Sequence, residues 1–95
     1  MKIIWAPQAL RDLREIYLYL LKDSPGAVRA LHERIRSRVL QLADAPQIGR
    51  PGRVPGTREL VIPGSRYIVP YRVAGDTLQI LRVYHTARVW PGAFD

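Results

Sequence analysis

The chain has 95 residues, of which 47% are hydrophobic, with no cysteine and a formal net charge of +7. This length supports one hydrophobic core, so we predict a single domain spanning residues 1–95. The lack of cysteine excludes disulfides and thiolate chemistry. No apolar run reaches the roughly 20 residues that span a membrane. Together these two observations favour a cytoplasmic protein. The charge favours an anionic partner, either nucleic acid or an acidic protein segment.

The first half of the chain predicts one short strand and a helical hairpin. Residues 1–5 form a β-branched apolar run, and Pro7 suits the first turn of a helix that continues to about Lys22. Ser24 and Pro25 predict the start of a second helix that ends near "ADAP" (residues 43–46). It is antiparallel to the first because the connection is short. Helical spacing relates the apolar residues Leu10, Leu13, Ile16, Tyr17, Leu20 and Leu21 of the first helix. The second helix carries the stripe Val28, Leu31, Ile35, Val39 and Leu42.

The second half predicts a loop followed by three strands. Residues 47–57 ("QIGRPGRVPGT") hold three Gly and two Pro and are typical of a loop. The strand-like runs "RELVI", "RYIVPYRV" and "TLQILRVYH" follow, separated by hairpin-type turns. Pro70 lacks a ladder donor and indicates an edge, a bulge or an unpaired position. The order βααβββ predicts an α+β fold, an antiparallel sheet with the helical hairpin packed on one face.

The sequence offers few residues for metal or phosphate chemistry. His32 and His85 are the only histidines, and the acids show no ligand-like spacing, so we predict no metal site and no cofactor. The glycine-rich loop precedes a strand, so it lacks the helix N-terminus that binds phosphate in glycine-rich loops. It is either a Pro-stiffened connection or a partner-binding loop that uses Arg50 and Arg53.

Metal-free RNA cleavage is the reaction that these residues best support. His85 would transfer protons, Arg66, Arg82 or Arg88 would hold the phosphate, and Tyr84 or Trp90 would stack a base. The alternative is that His85 is a hydrogen-bonded structural residue at the end of a strand. Both interpretations stay open at this point.

The chain resembles the RelE/ParE superfamily of toxins from bacterial type II toxin–antitoxin systems. The resemblance covers nearly the whole chain and is carried by the order and spacing of its motifs, not by any one of them. These are "WAPQALRDL" and "SPGAVRAL" at the helix starts, the GR-x-G loop at Gly49–Gly52, Arg58-Glu59-Leu60, Tyr67–Val69, Tyr71–Val73, Ile80–Val83 and His85-x-x-Arg88.

Two activities occur on this fold, so the fold alone does not choose between them. RelE-like members cut mRNA on the ribosome with basic residues on the central strands and a Tyr near the C-terminus. Aligned on that pattern, the central catalytic Arg falls on Ile68, the preceding lysines fall near Glu59 and Val61, and the last-strand Arg falls near Thr86. No Tyr lies beyond Tyr84, and the His-x-x-Arg followed by Trp-Pro is closer to the ParE-like branch, whose members bind and poison DNA gyrase.

The resemblance implies an antitoxin with an acidic segment that folds on binding, so that toxin and antitoxin form a hetero-oligomer. It also favours gyrase as the target, and therefore a toxin that inhibits by binding over one that acts as an enzyme. The alternatives are a ribosome-dependent mRNA endonuclease and a degenerate member that binds its antitoxin without toxicity. For the endonuclease, the catalytic candidates are Arg66, His85 and Arg88. Candidate contacts to the antitoxin or the target are Arg34, Arg38, Arg50, Arg53, Arg58, Arg82, Tyr84, Arg88 and Trp90.

Overall fold

The computed structural model describes residues 1–94 as an α+β fold, which confirms the predicted class and the leading βαα order. Within these residues, no helix is both long enough and apolar enough to cross a membrane. The elements in chain order are β1 (Lys2–Trp5), α1 (Pro7–Leu21), α2 (Pro25–Asp44), β2 (Arg50–Pro51), β3 (Arg58–Val61), β4 (Tyr67–Ala74), β5 (Thr77–Ile80) and β6 (Tyr84–His85).

The helix starts follow the predicted chemistry. Pro7 and Pro25 occupy the first turns of α1 and α2, where a missing N–H costs nothing. The Ser24 hydroxyl accepts hydrogen bonds from the backbone N–H groups of Gly26 (3.1 Å) and Ala27 (3.3 Å), which caps α2. This cap and the short connection fix the predicted antiparallel hairpin.

The buried face of α2 is confirmed, whereas that of α1 is rotated from the prediction. Leu31, Ile35, Val39 and Leu42 of α2 are buried in the core. On α1, the fully buried apolar residue is Ala9, while Leu10 and Leu21 are 54% and 51% exposed. The core-facing partners of Ala9 are Leu13, Ile16, Tyr17 and Leu20, so two leucines of the predicted stripe lie outside it.

The sheet is mixed rather than wholly antiparallel. Its strand order is β1-β5-β4-β3-β2, and β6 pairs with β4. β1 runs parallel to β5, with Lys2 opposite Thr77 and Trp5 opposite Ile80, whereas the other pairs are antiparallel. The parallel pair brings the first strand of the chain beside one of the last. The short strand β2, within the predicted loop, extends the opposite edge.

The last predicted strand is interrupted beside Pro70. β5 ends at Ile80 and β6 begins at Tyr84. The Pro70 carbonyl accepts a hydrogen bond from the Leu81 N–H (2.9 Å), so the Pro70 nitrogen, which has no proton, faces the same interruption. Pro70 therefore lies just beyond the end of the β4–β5 ladder while staying opposite Glu59 of β3, so its missing N–H removes no ladder hydrogen bond.

Both faces of the sheet are covered. The helical hairpin packs on the face that presents Leu60, Val69 and Tyr71. On the second face, Ile68 and Glu59 are buried, at 3% and 1% exposure, beneath the 52–57 loop and the segment that follows β6. The sequence pattern predicts only the first of these layers.

Candidate functional site

A buried carboxylate organises the second face of the sheet. Leu60 points into the helix-side core, so its neighbour Glu59 points to the second face, where it is 1% exposed. Glu59 accepts hydrogen bonds from Arg50 Nε (3.1 Å) and from the backbone N–H of Arg53 (2.8 Å). The guanidinium groups of both arginines also form ion pairs with Glu59, at 3.0 and 3.4 Å. The predicted binding candidates Arg50 and Arg53 are thus tied to an internal acid.

Arg53 connects this acid to a group of aromatic rings. Its guanidinium lies 4.0 Å from the centroid of the Trp90 ring, and the Trp90 ring packs edge-on against Tyr84 at 5.2 Å. Phe94 lies 6.1 Å from Tyr84 and 6.4 Å from Trp90. We call Tyr84, Trp90 and Phe94 the aromatic stack. It holds the C-terminal segment against the second face.

Two further arginines complete the aromatic stack. The guanidinium groups of Arg82 and Arg88 lie 4.8 and 4.4 Å from the centroid of the Tyr84 ring. Tyr84 itself is 1% exposed, whereas Arg88 is exposed to solvent. Arg88 can therefore reach a partner, and Tyr84 acts mainly by supporting it.

Arg82 is committed to an acid on α1. Its Nε and Nη2 donate to the two Asp12 carboxylate oxygens at 2.7 and 2.9 Å, and the Val83 N–H donates to Asp12 at 2.9 Å. The hydrogen bond to Asp12 raises the pKa of Arg82, so the Arg82 guanidinium stays charged at neutral pH. Asp12 thereby accepts a hydrogen bond from the backbone N–H of Val83, which lies in the interruption between β5 and β6. Arg82, predicted as a binding or phosphate-holding residue, is an internal partner.

His85 is engaged by its own turn. Its Nδ1 accepts a hydrogen bond from the Ala87 N–H (3.0 Å), and its carbonyl accepts from the Arg88 N–H (3.0 Å). Its ring packs edge-on against Tyr67, with 5.5 Å between ring centroids. This arrangement fixes Nδ1 as an acceptor and leaves only Nε2 for other contacts.

The three catalytic candidates lie around the end of β6. The Arg66 carbonyl accepts from the Thr86 N–H (2.8 Å), which places Arg66 beside the turn that contains His85 and Arg88. His85 and Arg66 line a cavity of about 460 Å³, and His85 and Arg88 line an adjoining cavity of about 310 Å³. Two carboxylates, Asp12 and Glu15, line the smaller cavity. The structure thus brings the candidates together, beside Glu15 and an Asp12 that is already paired with Arg82.

A family model described as "ParE toxin of type II toxin-antitoxin system, parDE" matches residues 3–90. The chain belongs to this toxin family. As a family of toxin–antitoxin systems, it implies an antitoxin partner for this toxin.

The toxin is similar to several known proteins along almost its whole length. "Putative toxin Y4kP" of Sinorhizobium fredii is 46% identical over 90 residues, which cover 95% of this chain and 93% of the relative. "Toxin RelE2" of Caulobacter vibrioides is 33% identical over 88 residues, covering 93% and 98%. A solved structure described as "Chromosomal ParDE TA system from P. aeruginosa" matches with a TM-score of 0.72 and 32% identity, covering 90% of this chain and 95% of that chain. The predicted RelE/ParE resemblance is confirmed.

The remaining arginine candidates of the toxin form contacts with backbone carbonyls. Arg34 donates to the Pro63 carbonyl (3.3 Å), and Arg38 donates to the Val61 carbonyl (3.4 Å) and to Gln41 Oε1 (2.6 Å). Arg58 donates to the Gly49 carbonyl (2.8 Å), which turns it toward the loop. Their roles toward a partner stay predictions.

The sequence analysis does not identify three residues that position the site. Glu59 and Asp12 are buried acids whose partners lie far away in sequence or in a loop. Tyr71 donates to the Pro46 carbonyl (2.7 Å) and accepts from the Gly49 N–H (2.9 Å), and burial raises the pKa of its phenol. No local sequence signal marks Glu59 or Asp12 for burial, because a lone acid normally predicts exposure.

Proposed function

We propose that this toxin inhibits DNA gyrase by binding it directly, with the exposed part of the C-terminal segment as the contact surface. The observation that carries this proposal is the engagement of Glu59. A ribonuclease without a metal needs unneutralised cations over the scissile phosphate. Here a carboxylate that is 1% exposed lies on the face where those cations would stand, and it pairs with Arg50 and Arg53.

The engagement of His85 supports the same conclusion. General acid–base catalysis needs a group that is free to accept and return a proton. The Nδ1 atom of His85 is occupied by the Ala87 N–H, so protonation at that atom would break the turn that carries Arg88. His85 therefore acts chiefly by holding this turn in place.

The C-terminal segment offers a surface suited to a protein target. Arg88 is exposed beside the Tyr84 ring, and the adjacent Val89 is 90% exposed. Trp90 is half-buried and anchors both to the sheet through Arg53. An aromatic anchor beside exposed cationic and apolar side chains is the composition of a protein-binding hot spot.

The test is DNA supercoiling by purified gyrase, titrated with antitoxin-free toxin. We expect wild type to block supercoiling, and Val89→Asp and Arg88→Ala to lose at least tenfold in potency. His85→Asn, whose Oδ1 can accept the Ala87 N–H in place of Nδ1, should stay within about threefold. Arg29→Ala, an exposed arginine on α2, is the matched control and should retain full potency. No inhibition by folded wild-type toxin at a large molar excess would refute the proposal.

One observation favours a second function, ribosome-dependent mRNA cleavage. Arg66, His85 and Arg88 gather around the same turn, and the Nε2 atom of His85 is not engaged by a hydrogen bond within residues 1–94. In that case His85→Ala would abolish mRNA cleavage in a translation extract and leave antitoxin binding intact. Cleavage that is lost in His85→Ala, together with unaffected supercoiling, would select this function.

A further inference from the structure

A cavity of about 450 Å³ lies between the start of α1 and the C-terminal segment. Its walls come from residues 6–8, from residues between 79 and 84, and from residues 88–94. We call it the C-terminal cavity. Pockets that hold small molecules measure about 300–1,000 Å³, whereas one inserted side chain fills far less. No acidic side chain among residues 1–94 lines this cavity, which distinguishes it from the cavity that Glu15 lines beside His85.

Two guanidinium groups give the C-terminal cavity its charge. Arg88 is exposed and has no acidic partner within residues 1–94. Arg82 binds Asp12 through Nε and Nη2, which leaves its Nη1 atom without a hydrogen bond in the same part of the chain. Both groups rest on the Tyr84 ring, at 4.4 Å from its centroid for Arg88 and 4.8 Å for Arg82. Guanidinium groups supported in this way present several fixed N–H donors to phosphate oxygens.

Two buried donors at this cavity lack a partner. The indole Nε1 of Trp90, a lining residue, and the Nε of Arg72 are buried and form no hydrogen bond within residues 1–94. Arg72 lies opposite Gln79, another lining residue, and both side chains are on the second face because their chain neighbours point into the helix-side core. Buried donors in proteins are normally paired. The unpaired indole and the nearby Arg72 charge therefore indicate a ligand that accepts hydrogen bonds and carries negative charge.

The start of α1 adds to the positive potential. Its N-cap residue, Ala6, makes no side-chain hydrogen bond, and the first turn contains no acid. Pro7 has no N–H, and the backbone N–H of Gln8 has no acceptor within residues 1–94. The N-terminus of a helix favours anions. This helix start thus lines a cavity that already has two guanidinium groups and an unpaired indole donor in its wall.

The uncharged part of the wall suits a nucleobase. The carboxamides of Gln8 and Gln79 line the cavity, and each presents a donor and an acceptor side by side, as the hydrogen-bonding edge of a base does. The Phe94 ring also lines it, and aromatic rings stack on the faces of bases. Two carboxamides and a ring beside a cationic region match the base and the phosphate of one nucleotide.

We propose that the C-terminal cavity binds a nucleoside monophosphate, with its phosphate at Arg82 and Arg88 and its base at the two carboxamides and the Phe94 ring. A single acidic side chain of a protein would leave most of the cavity of about 450 Å³ unfilled. A nucleic-acid strand needs cations along its path. However, Arg88 also lines the adjoining cavity, where Glu15 has no ion pair within residues 1–94. Size and charge therefore favour a free mononucleotide.

The cavity shares Arg88 with the surface proposed for gyrase, but its test contains no gyrase, so failure to inhibit gyrase leaves the test unchanged. Antitoxin-free toxin is titrated with AMP, GMP, CMP and UMP. Binding is measured by calorimetry and by the emission of Trp90 in a Trp5→Phe background, where it is the only tryptophan. We expect saturable binding of at least one of these nucleotides with a Kd of about 10 µM to 1 mM. The same nucleoside without its phosphate, and inorganic phosphate alone, should each bind at least about tenfold more weakly.

Gln8→Glu is the first variant, because a carboxylate in the first turn stabilises a helix while it brings negative charge to the cavity. We expect the Kd to weaken at least about tenfold with an unchanged or higher melting temperature, so that unfolding does not account for the loss. Arg29→Gln is the matched control, since it lowers the net charge equally on the exposed surface of α2, and its Kd should stay within about twofold. Trp90→Phe keeps a ring but removes the Nε1 donor, and should weaken binding about three- to tenfold in calorimetry.

Three results would overturn the proposal. The first is the absence of saturable binding of any of the four nucleotides to folded toxin, or a loss in Arg29→Gln equal to that in Gln8→Glu. The second is inorganic phosphate that binds as tightly as the nucleotide, which would leave the base without a role. The third is a single-stranded oligonucleotide that binds where the mononucleotides do not, which would assign the cavity to a nucleic-acid strand.

Discussion

Replacing Glu59 with Gln perturbs the internal acid that joins the loop to the C-terminal segment. The amide keeps the size of the side chain but must turn one NH₂ toward the donors at Arg50 and Arg53, which lie 3.1 and 2.8 Å away. A hydrogen bond to a charged group contributes about 1.5–3 kcal/mol, against about 1 kcal/mol for a neutral one. Both arginine side chains are about half exposed (50% and 47%), so water recovers part of the loss. We expect a destabilisation of about 2–3 kcal/mol.

Urea unfolding followed by circular dichroism measures this loss, which corresponds to a midpoint lowered by about 1–2 M. In a Trp5→Phe background Trp90 is the only tryptophan, and its emission should shift to the red as Arg53 is released from Glu59. The control is Glu33→Gln, in an exposed pair with Arg36 at 3.6 Å, which should cost at most about 0.5 kcal/mol. A midpoint shift no larger than that of the control, with unchanged Trp90 emission, would refute the role given to Glu59.

Three further predictions concern the stability of the fold. Asp12→Ala should lower the free energy of unfolding by about 3 kcal/mol, and a double-mutant cycle with Arg82→Ala should give a coupling above about 1 kcal/mol in urea titrations. Burial raises the pKa of Tyr71 above its ordinary value of 10.0. The free energy of unfolding should therefore be full below pH 10 and fall as the pH rises above it, less steeply in Tyr71→Phe. Equal slopes of this free energy against pH in the two proteins would contradict the prediction. Gly64→Ala should cost about 1–2 kcal/mol because the φ of Gly64 is +74°. Adding Arg34→Ala removes the flexible side-chain end nearest to the new Cβ and should restore little of this stability in thermal melts.

The helices were predictable because their signals are local. Pro7 and the Ser24-Pro25 pair define helix starts by capping chemistry, and the α2 stripe from Leu31 to Leu42 follows the helical period directly. The family could also be predicted from the sequence, because the order of its short motifs can be read along the chain without a structure. Local chemistry therefore suffices for the α+β class and for the helical hairpin.

The other features depend on contacts between distant residues. The parallel partner of β1 cannot be deduced from the composition of Lys2–Trp5, because strand propensity carries no direction. The burial of Asp12 on α1 could not be predicted either, because its partner Arg82 lies 70 residues away in the chain. Glu59 is similar, since a lone acid in a strand predicts exposure until its arginine partners are placed.

The parallel pairing of β1 with β5 also dictates when the molecule can fold during its synthesis. Lys2 lies opposite Thr77, so the partner of the first strand is 75 residues downstream (77 − 2 = 75). At about 5–20 residues per second, that partner is made roughly 4–15 s after the first strand. The helical hairpin is complete by Asp44, well before the sheet can close. A nascent chain therefore completes its helical hairpin seconds before the pairing of β1 with β5 can close the sheet.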